Sequence, residues 1–313
     1  MQLTRRDFGR LAAAGAAAAA IHPGSLFAQG KPNSKFNGVQ IGVISYSYRQ
    51  MNPSDALAVL KYTVENGINT VELERVQEAW AGMPQAPPRQ PGAAGRGMPP
   101  GYAEELTKWR TTMDVNKYAE LRKLYNASGV SIYAFKISLT DRMPDAEFDY
   151  AFKAAKAIGA DHLTMEMPDN NPGLTARIGK FGEKYKMRMG YHAHLQAKPD
   201  TWDEALSQSP WNGINLDVGH YTAAGNHDQL DFIKKHHDRI TCMHLKDRKY
   251  PEHGGENMPF GQGDTPVKEV LQLMKQQHYT FPATIELEYK LPEGSDAVKE
   301  VAKCLAYAKS CLV

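Results

Sequence analysis

The sequence predicts an α/β protein of one domain in which eight parallel strands close into a (β/α)8 barrel. Three observations predict this fold. From residue 36 onward, short runs rich in β-branched and aromatic residues alternate with longer patterns of helical period, and such alternation is typical of parallel βαβ units. The runs number eight, which favours a closed barrel over an open sheet. A chain of 313 residues is expected to form one domain of barrel size rather than two.

The eight predicted strands are short and largely apolar, and they lie at residues 39–48, 68–74, 129–137, 160–167, 185–194, 213–218, 239–245 and 282–289. The helical patterns lie at residues 53–67, 115–129, 146–160, 174–185, 228–237, 266–277 and 295–310. In the first of these, Pro53 fits the first turn of a helix and Gly67 fits its C-terminal stop. The barrel is therefore expected to occupy residues 36–313.

Residues 81–101 interrupt the alternation with many prolines and glycines and almost no core-forming side chains. Such a segment cannot bury enough apolar area to offset the entropy of ordering it. Because it follows the second strand, it is expected at the C-terminal rim of the barrel. We interpret it as a surface insertion, and a lid over the substrate is the alternative.

Residues 1–30 are predicted to be a targeting segment. Arg5 and Arg6 followed by Asp7 and Phe8 resemble a twin-arginine export signal. The apolar run at 11–21 is too short to span a bilayer as a helix. The alternative is an Ala-rich first helix of the fold. Export predicts a periplasmic protein with no stable membrane anchor after cleavage.

The composition excludes several partners and cofactors. A formal net charge of +2 leaves no basic surplus for nucleic acid or an anionic membrane. Three cysteines, at positions 242, 304 and 311, are too few and wrongly spaced for a disulfide framework or a zinc knuckle. The sequence contains no P-loop or dinucleotide fingerprint. The oligomeric state is left open, a homo-oligomer included.

Candidate metal ligands lie near the ends of the later strands, and these ends share one rim of a barrel. The candidates are Glu166 on the fourth strand, His192 and His194 on the fifth, Asp217 on the sixth, His244 on the seventh, and Glu286 and Glu288 on the eighth. Each alone has an ordinary explanation, such as a buried core histidine or a helix-capping aspartate. Crowded inward carboxylates repel each other and are costly to bury, however, and a divalent cation relieves that cost. A mixed carboxylate and imidazole set predicts one ion of Mn, Co, Zn or Fe rather than Ca.

The motifs LDVGH, MHLKDR and FPATIELEY, supported by TVELE and GYHAH, resemble those of the xylose-isomerase-like TIM barrels, a family of sugar epimerases, inosose dehydratases and endonuclease IV. The likeness covers roughly residues 38–310. It implies a divalent metal held by Glu, Asp, His and Glu from strands five to eight, with both glutamates moving the substrate proton. Asp217, His244 and Glu286 match the last three ligands, and His220 matches a substrate-binding histidine.

The fifth strand departs from the epimerase pattern, because His192 stands where the family has glutamate. Either His192 binds the metal, or Glu166 reaches over from the fourth strand and His192 or His194 acts as the base. The catalytic candidates are therefore Glu286, His192 and His194. A single base opposite Glu286 would also suit β-elimination or hydration.

Four residues are predicted to bind substrate: His220, Glu72, Lys246 and Arg248. Glu72 ends the second strand and would reach a sugar hydroxyl or pair with a neighbour. Lys246 and Arg248 follow the seventh strand and would bind substrate oxygens; the alternative is a solvated loop of mixed charge. The Gly-rich segment at 253–266 is expected to shape a turn rather than cradle phosphate.

These features predict a metal-dependent sugar isomerase or epimerase that abstracts a proton next to a carbonyl. Because sugar phosphates are cytoplasmic metabolites, export predicts a non-phosphorylated sugar, keto-sugar or glycoside as the substrate. The alternative is a metal-dependent lyase or dehydratase on 3-keto-glycosides or keto-inositols. Two further hypotheses are a non-catalytic periplasmic sugar-binding protein and a phosphodiesterase, and the near-neutral charge counts against the second.

Overall fold

The computed structural model describes residues 31–87 and 99–313; the predicted targeting segment and residues 88–98 of the insertion lie outside the described residues. The strands of this part, numbered in chain order, are β1 (Lys35–Phe36), β2 (Val39–Ile44), β3 (Thr70–Glu74), β4 (Ser131–Lys136), β5 (His162–Glu166), β6 (Arg188–His192), β7 (Asn212–Asp217), β8 (Ile240–Leu245), β9 (Asp247–Arg248), β10 (Asn257–Met258) and β11 (Ala283–Ile285). Strands β2 to β8 and β11 pair in parallel, each with the next, and β11 also pairs with β2. This closed ring of eight strands confirms the predicted (β/α)8 barrel.

The helices that surround the ring are α1 (Ala56–Glu65), α2 (Val76–Trp80), α3 (Tyr102–Thr112), α4 (Asn116–Ala127), α5 (Asp145–Ile158), α6 (Pro172–Tyr185), α7 (Asp203–Gln208), α8 (Val218–Ala223), α9 (Gln229–His236), α10 (Val267–Gln277) and α11 (Ala297–Leu312). Short 3-10 turns lie at Ser45–Tyr48 and Pro251–His253. None of the described helices combines the length and the apolar character needed to cross a bilayer.

The first helix begins later than the sequence predicts. Asp55 is its N-cap, and the Asp55 carboxylate accepts hydrogen bonds from the backbone N–H groups of Leu57 and Ala58. A side-chain cap fixes where a helix starts, so Pro53 lies before the helix and the prediction for Pro53 was wrong. The predicted stop is confirmed, since Gly67 takes a left-handed φ of 72° just after the last turn.

The apolar core lies between the barrel and its helices, whereas the barrel interior is polar. Along β3, Val71 and Leu73 join the apolar core. Glu72, which alternates with them, contacts His244 of β8. Because β3 and β8 are not neighbours in the sheet, this contact crosses the inside of the barrel. The strand period of two therefore separates the residues that stabilise the fold from the residues that line the interior.

Three barrel strands end at least two residues earlier than predicted. Strand β2 ends at Ile44 instead of residue 48, because residues 45–48 form a 3-10 turn. Strand β6 ends at His192, and β11 ends at Ile285.

Glu286 N–H still donates to the Leu245 carbonyl of β8. At Leu287 the backbone bonds to side chains instead, since Leu287 N–H donates to Ser47 Oγ and Arg49 donates to the Leu287 carbonyl. The residues that follow β6 and β11 therefore lie on loops above the barrel.

The described flanks of the Pro/Gly-rich insertion pack against the domain. Helix α2 follows β3 directly, and the Tyr102 hydroxyl donates a hydrogen bond of 2.9 Å to the Pro84 carbonyl. This hydrogen bond joins the two flanks to each other, and the first flank begins just after β3.

Candidate active site

Four side chains from consecutive barrel strands converge at the carboxyl ends of the strands. His192 and Asp217 are the last residues of β6 and β7. His244 is the second-to-last residue of β8, and Glu286 follows β11. One ligand atom from each lies within 4.8 Å of the others, and all four residues are buried. The structure thus brings together the residues that the sequence places at one rim.

The donor atoms of this cluster fit a divalent cation. The His192 Nε2 and Asp217 Oδ2 atoms lie 3.5 Å apart. Within the part of the chain that the structure describes, His192 Nε2 is buried without a hydrogen-bond partner, whereas Asp217 Oδ2 forms an ion pair with the Lys246 ammonium. Buried polar atoms without a partner are costly. Two imidazoles and two carboxylates are ligands that Zn²⁺, Mn²⁺, Fe²⁺ and Co²⁺ accept.

Glu166 fixes the orientation of the His192 ring by a contact with its Nδ1 atom. The His192 Nδ1 atom lies 2.9 Å from Glu166 Oε2, and the other Glu166 oxygen lies 2.9 Å from the Lys136 ammonium. Burial raises the pKa of Glu166, but His192 and Lys136 together hold it below its usual value. Glu166 is not among the four converging residues, so this geometry fits the alternative in which His192 is the ligand and Glu166 supports it.

Asp217 uses its two carboxylate oxygens for different purposes. Its Oδ1 accepts a 2.6 Å hydrogen bond from the backbone N–H of His220 and so caps α8. Its Oδ2 faces His192 and the Lys246 ammonium, which is 3.1 Å away. The capping and ligand explanations for Asp217 are therefore compatible.

Lys246 is buried among the carboxylates and is not part of a solvated loop. Its Nζ lies 3.1 Å from Glu286 Oε2 and 2.7 Å from Glu288 Oε2, and its side chain is 2% exposed. Burial lowers the pKa of Lys246, but Asp217 and the two glutamates raise it above its usual value. A charged ammonium therefore neutralises part of the negative charge of the site.

His220 lies between two cationic donors. Lys246 Nζ is 2.9 Å from His220 Nε2, and Arg248 Nη1 is 2.7 Å from His220 Nδ1. Burial and the nearby positive charge of Lys246 lower the pKa of His220 to about 3, so its imidazole is neutral at physiological pH. A neutral imidazole accepts only one hydrogen bond in its ring plane. One N–H group of Lys246 or Arg248 that faces His220 is thus available to another acceptor.

His194 lies at the mouth of the site. Its side chain is 51% exposed, and its Nε2 is 3.6 Å from Glu166 Oε2. Its ring centroid lies 4.8 Å from that of His192 and 4.6 Å from that of His220. Burial and the neighbouring His192 lower the pKa of His194, which keeps its imidazole unprotonated.

Glu72 lies beneath the site rather than in it. Its side chain is fully buried in the barrel, with Oε2 2.7 Å from His244 Nε2 and Oε1 2.5 Å from Thr164 Oγ1. Of the two predicted roles for Glu72, this geometry fits pairing with a neighbour rather than contact with a sugar. The strand continues for two more residues, so Glu74 and not Glu72 marks its end.

The Gly-rich loop is built around Asp247. Asp247 Oδ2 accepts hydrogen bonds from the backbone N–H groups of Gly261, Gln262 and Gly263 at 2.7, 3.1 and 3.0 Å. A Cβ atom at Gly263 would collide with the Asp247 carboxylate. The amide groups of this loop therefore bind a protein carboxylate, and the glycines shape a turn, as the sequence predicts.

A closed barrel with imidazoles and carboxylates converging at its C-terminal rim defines a class, the (β/α)8 proteins that carry a candidate metal centre. Residues 101–308 match the family model of the xylose isomerase-like TIM barrel. The match spans more than half of the chain, so the chain belongs to this family, and the predicted resemblance is confirmed.

Among curated proteins, the chain is similar to L-ribulose-5-phosphate 3-epimerase UlaE of Escherichia coli, with 29% identity over 149 residues that make up 44% of this chain and 51% of UlaE. The chain thus spans about half the length of the curated relatives it matches.

Two solved structures show the same fold at low sequence identity. The IolI protein with a binding zinc atom has a TM-score of 0.60 and 12% identity, over 88% of this chain and 99% of that one. The "probable 3-DHS dehydratase AsbF" of Bacillus anthracis has a TM-score of 0.61 and 13% identity, over 86% of this chain and 98% of that one. At these identities the likeness supports the fold alone.

Proposed function

We propose that this protein is a divalent-metal-dependent sugar isomerase or epimerase that abstracts a proton next to a carbonyl of a non-phosphorylated sugar or keto-sugar. One observation carries the proposal. His192, Asp217, His244 and Glu286 converge within 4.8 Å, and the His192 Nε2 atom is buried without a hydrogen-bond partner in the described chain. Membership of the family and the similarity to UlaE, named as an epimerase, agree with it.

The four converging side chains would hold the ion. A bound divalent cation would polarise a carbonyl or hydroxyl oxygen of the sugar and so make the adjacent C–H group more acidic. The chain supplies what an ion cannot, namely a base for the proton and groups that orient the sugar.

Two residues are suited to move the proton. Lys246 and His244 hold the pKa of Glu286 well below its usual value in spite of its burial, so Glu286 is an ionised carboxylate. His194 is half-exposed and neutral, and it offers a second basic nitrogen at the mouth. An epimerase removes a proton from one face of a carbon and returns it to the other, which two separate bases allow.

His220, Lys246 and Arg248 would orient the sugar. Since the His220 imidazole cannot accept from both cations at once, one ammonium or guanidinium N–H is available to a sugar hydroxyl or carbonyl oxygen. Arg248 is the better placed of the two, because its side chain is only partly buried while Lys246 is enclosed by carboxylates.

Two observations support a substrate without phosphate. The loop amides at residues 261–263 already bind Asp247, so this Gly-rich loop offers no free cradle for a phosphate. The predicted export signal points to the same conclusion. The proposal therefore departs from UlaE, which is named for a sugar phosphate.

A lyase or dehydratase remains the second candidate, and Lys246 favours it. The Lys246 ammonium touches Glu286, the proposed base. A base and a buried acid side by side suit removal of a proton with protonation of a leaving oxygen.

The experiment is a metal analysis followed by an assay in D₂O. We expect about one equivalent of Mn, Co, Zn or Fe in the purified protein, lost in Asp217→Ala. Free ketoses and 3-keto-glycosides are then incubated in D₂O and followed by NMR. Deuterium next to the carbonyl together with a new stereoisomer supports epimerisation or isomerisation, and an unsaturated ketone supports elimination.

Glu286→Gln is expected to abolish turnover, and Glu293→Gln, an exposed glutamate, is the matched control that retains it. Ligand binding that survives in Glu286→Gln, with no turnover in the wild type, would mean a binding protein. Absence of metal from both wild type and Asp217→Ala would refute the mechanism.

Export is part of the proposal and has its own test. We expect the wild-type chain in the periplasmic fraction of a bacterial host. Replacing Arg5 and Arg6 by lysine should keep the chain in the cytoplasm, because a twin-arginine signal is read by its paired arginines. Equal export of both chains would refute the twin-arginine assignment.

A further inference from the structure

We propose that Glu72 is a positioning residue that fixes which nitrogen of His244 faces the metal centre. The inference rests on the proposed metal site. It gives a function to a buried carboxylate that the proposed reaction does not use directly.

The His244 ring contacts two carboxylates and, at a longer distance, the Asn215 amide, whose Nδ2 lies 3.3 Å from His244 Nε2. Its Nε2 lies 2.7 Å from Glu72 Oε2, and its Nδ1 lies 2.9 Å from Glu286 Oε2. An imidazole that binds a metal keeps one N–H group and offers the lone pair of the other nitrogen. Glu72 lies on the side of the ring away from Glu286, so it holds the proton on Nε2 and leaves Nδ1 for the centre.

The opposite arrangement would disable the ligand. With the proton on Nδ1, the N–H group would point at Glu286 and no lone pair of His244 would face the converging residues. Nε2 would then direct its lone pair at the Glu72 carboxylate, which is repulsive. Metal-binding histidines commonly donate the N–H group of their other ring nitrogen to a carboxylate, and this hydrogen bond fixes the tautomer.

Glu72 is itself held in place from three other strands. Thr164 of β5 donates to Oε1 at 2.5 Å, and the Tyr133 hydroxyl of β4 lies 3.2 Å from Oε2. Tyr133 is in turn 2.5 Å from the Thr284 hydroxyl of β11. All of these side chains are buried, so Glu72 cannot turn away from His244 without breaking several interior hydrogen bonds.

Burial also excludes a direct part in the reaction. Glu72 and His244 both have side chains that are 0% exposed, so no sugar reaches Glu72. An ionised carboxylate is costly to bury, and barrel interiors are usually filled by branched apolar side chains. Among the described residues, Glu72 contacts the converging set through His244.

The test measures metal affinity and the tautomer rather than turnover. The dissociation constant for Zn²⁺ is measured by competition with a chelator for wild type, Glu72→Gln and Glu300→Gln. Glu300 is the matched control, because it is an equally buried carboxylate that lies on α11 and accepts a hydrogen bond from the Tyr289 hydroxyl instead of contacting His244. We expect Glu72→Gln to weaken Zn²⁺ binding by about 10- to 100-fold and Glu300→Gln to leave it unchanged.

The proton is located by long-range ¹H–¹⁵N correlation on the Zn²⁺-loaded protein. We expect the His244 proton on Nε2 in the wild type. A proton on Nδ1, or an unchanged Zn²⁺ affinity in Glu72→Gln, would overturn the inference. If Glu72→Gln fails to fold, Thr164→Val removes one brace of the carboxylate and should weaken binding by about three- to tenfold, and an unchanged affinity there would overturn it too.

Failure of the metal site itself is distinguishable. A wild-type protein that binds no Zn²⁺, Mn²⁺, Co²⁺ or Fe²⁺ would refute the proposed function and the inference with it. A wild type that binds metal alongside an unaffected Glu72→Gln variant refutes only the inference.

Discussion

Lys246→Met is expected to destabilise the metal-free protein strongly and the metal-loaded protein weakly. The Lys246 ammonium is 2% exposed and lies within 3.1 Å of carboxylate oxygens of Asp217, Glu286 and Glu288. Methionine keeps the aliphatic volume but removes the charge. Removing one partner of a buried ion pair costs about 3–5 kcal/mol, because the remaining charge is left uncompensated.

The loss in the free energy of unfolding caused by Lys246→Met should depend on whether a metal is bound. In EDTA the full loss of about 3–5 kcal/mol is expected, which corresponds to a fall in Tm of roughly 5–8 °C for a chain of this size. With saturating Zn²⁺ the loss should stay below about 2 kcal/mol, because a bound cation supplies positive charge to Asp217 and Glu286.

The assay is urea unfolding followed by tryptophan fluorescence, with and without Zn²⁺. Lys234→Met is the control, since Lys234 forms an exposed pair with Asp231 at 3.1 Å and should change stability by less than about 0.5 kcal/mol. The reasoning is refuted if Lys246→Met costs the same with and without metal, or if it costs no more than the control.

Three further predictions concern groups outside the metal centre. Burial lowers the pKa of His162 to about 4. Because the unfolded chain takes up the proton first, the free energy of unfolding should fall by about 3 kcal/mol as the pH drops from 6.5 to 4. In His162→Gln, urea titrations should show a fall that is smaller by that amount. Arg110→Met breaks the buried pair with Glu78 at 3.0 Å and should cost about 3–5 kcal/mol while the bound metal, measured by mass spectrometry, is unchanged. Gly263→Ala places a Cβ against Asp247 and should lower Tm by several degrees in a thermal melt; an unaltered Tm would contradict the described loop.

The fold was predictable from the sequence because the barrel strands carry their own pattern. Val71 and Leu73 alternate with Glu72 in the printed order, and that alternation alone places two faces on a strand. The closing strand was harder. Residues 286–289 look like a continuation of β11, yet Ser47 and Arg49 bind both backbone groups of Leu287. A competition between residues so distant in the chain leaves no local signal.

The converging ligands were predictable because strand ends in a barrel share one rim, and Asp217, His244 and Glu286 each lie close to such an end. The residues that support these ligands, however, were not predictable from the sequence. Glu72 and His244 are 172 positions apart in the chain, and Lys136, which the sequence analysis missed, is recognisable only once β4 and β5 are side by side. The sequence feature that could have pointed to Lys136 is its position as a charged residue near the end of an apolar strand.

The hydrogen bond from the His220 backbone to Asp217 has a thermodynamic consequence for ligand capture. A free aspartate loses rotamer freedom when it binds a cation, at a cost on the order of 0.5–1.5 kcal/mol for an immobilised side chain. Asp217 has already lost that freedom, because its Oδ1 is committed to the first turn of α8. Folding of the helix thus sets the direction of Oδ2 in advance. The side-chain entropy of this ligand is therefore lost when the protein folds and not when the cation binds.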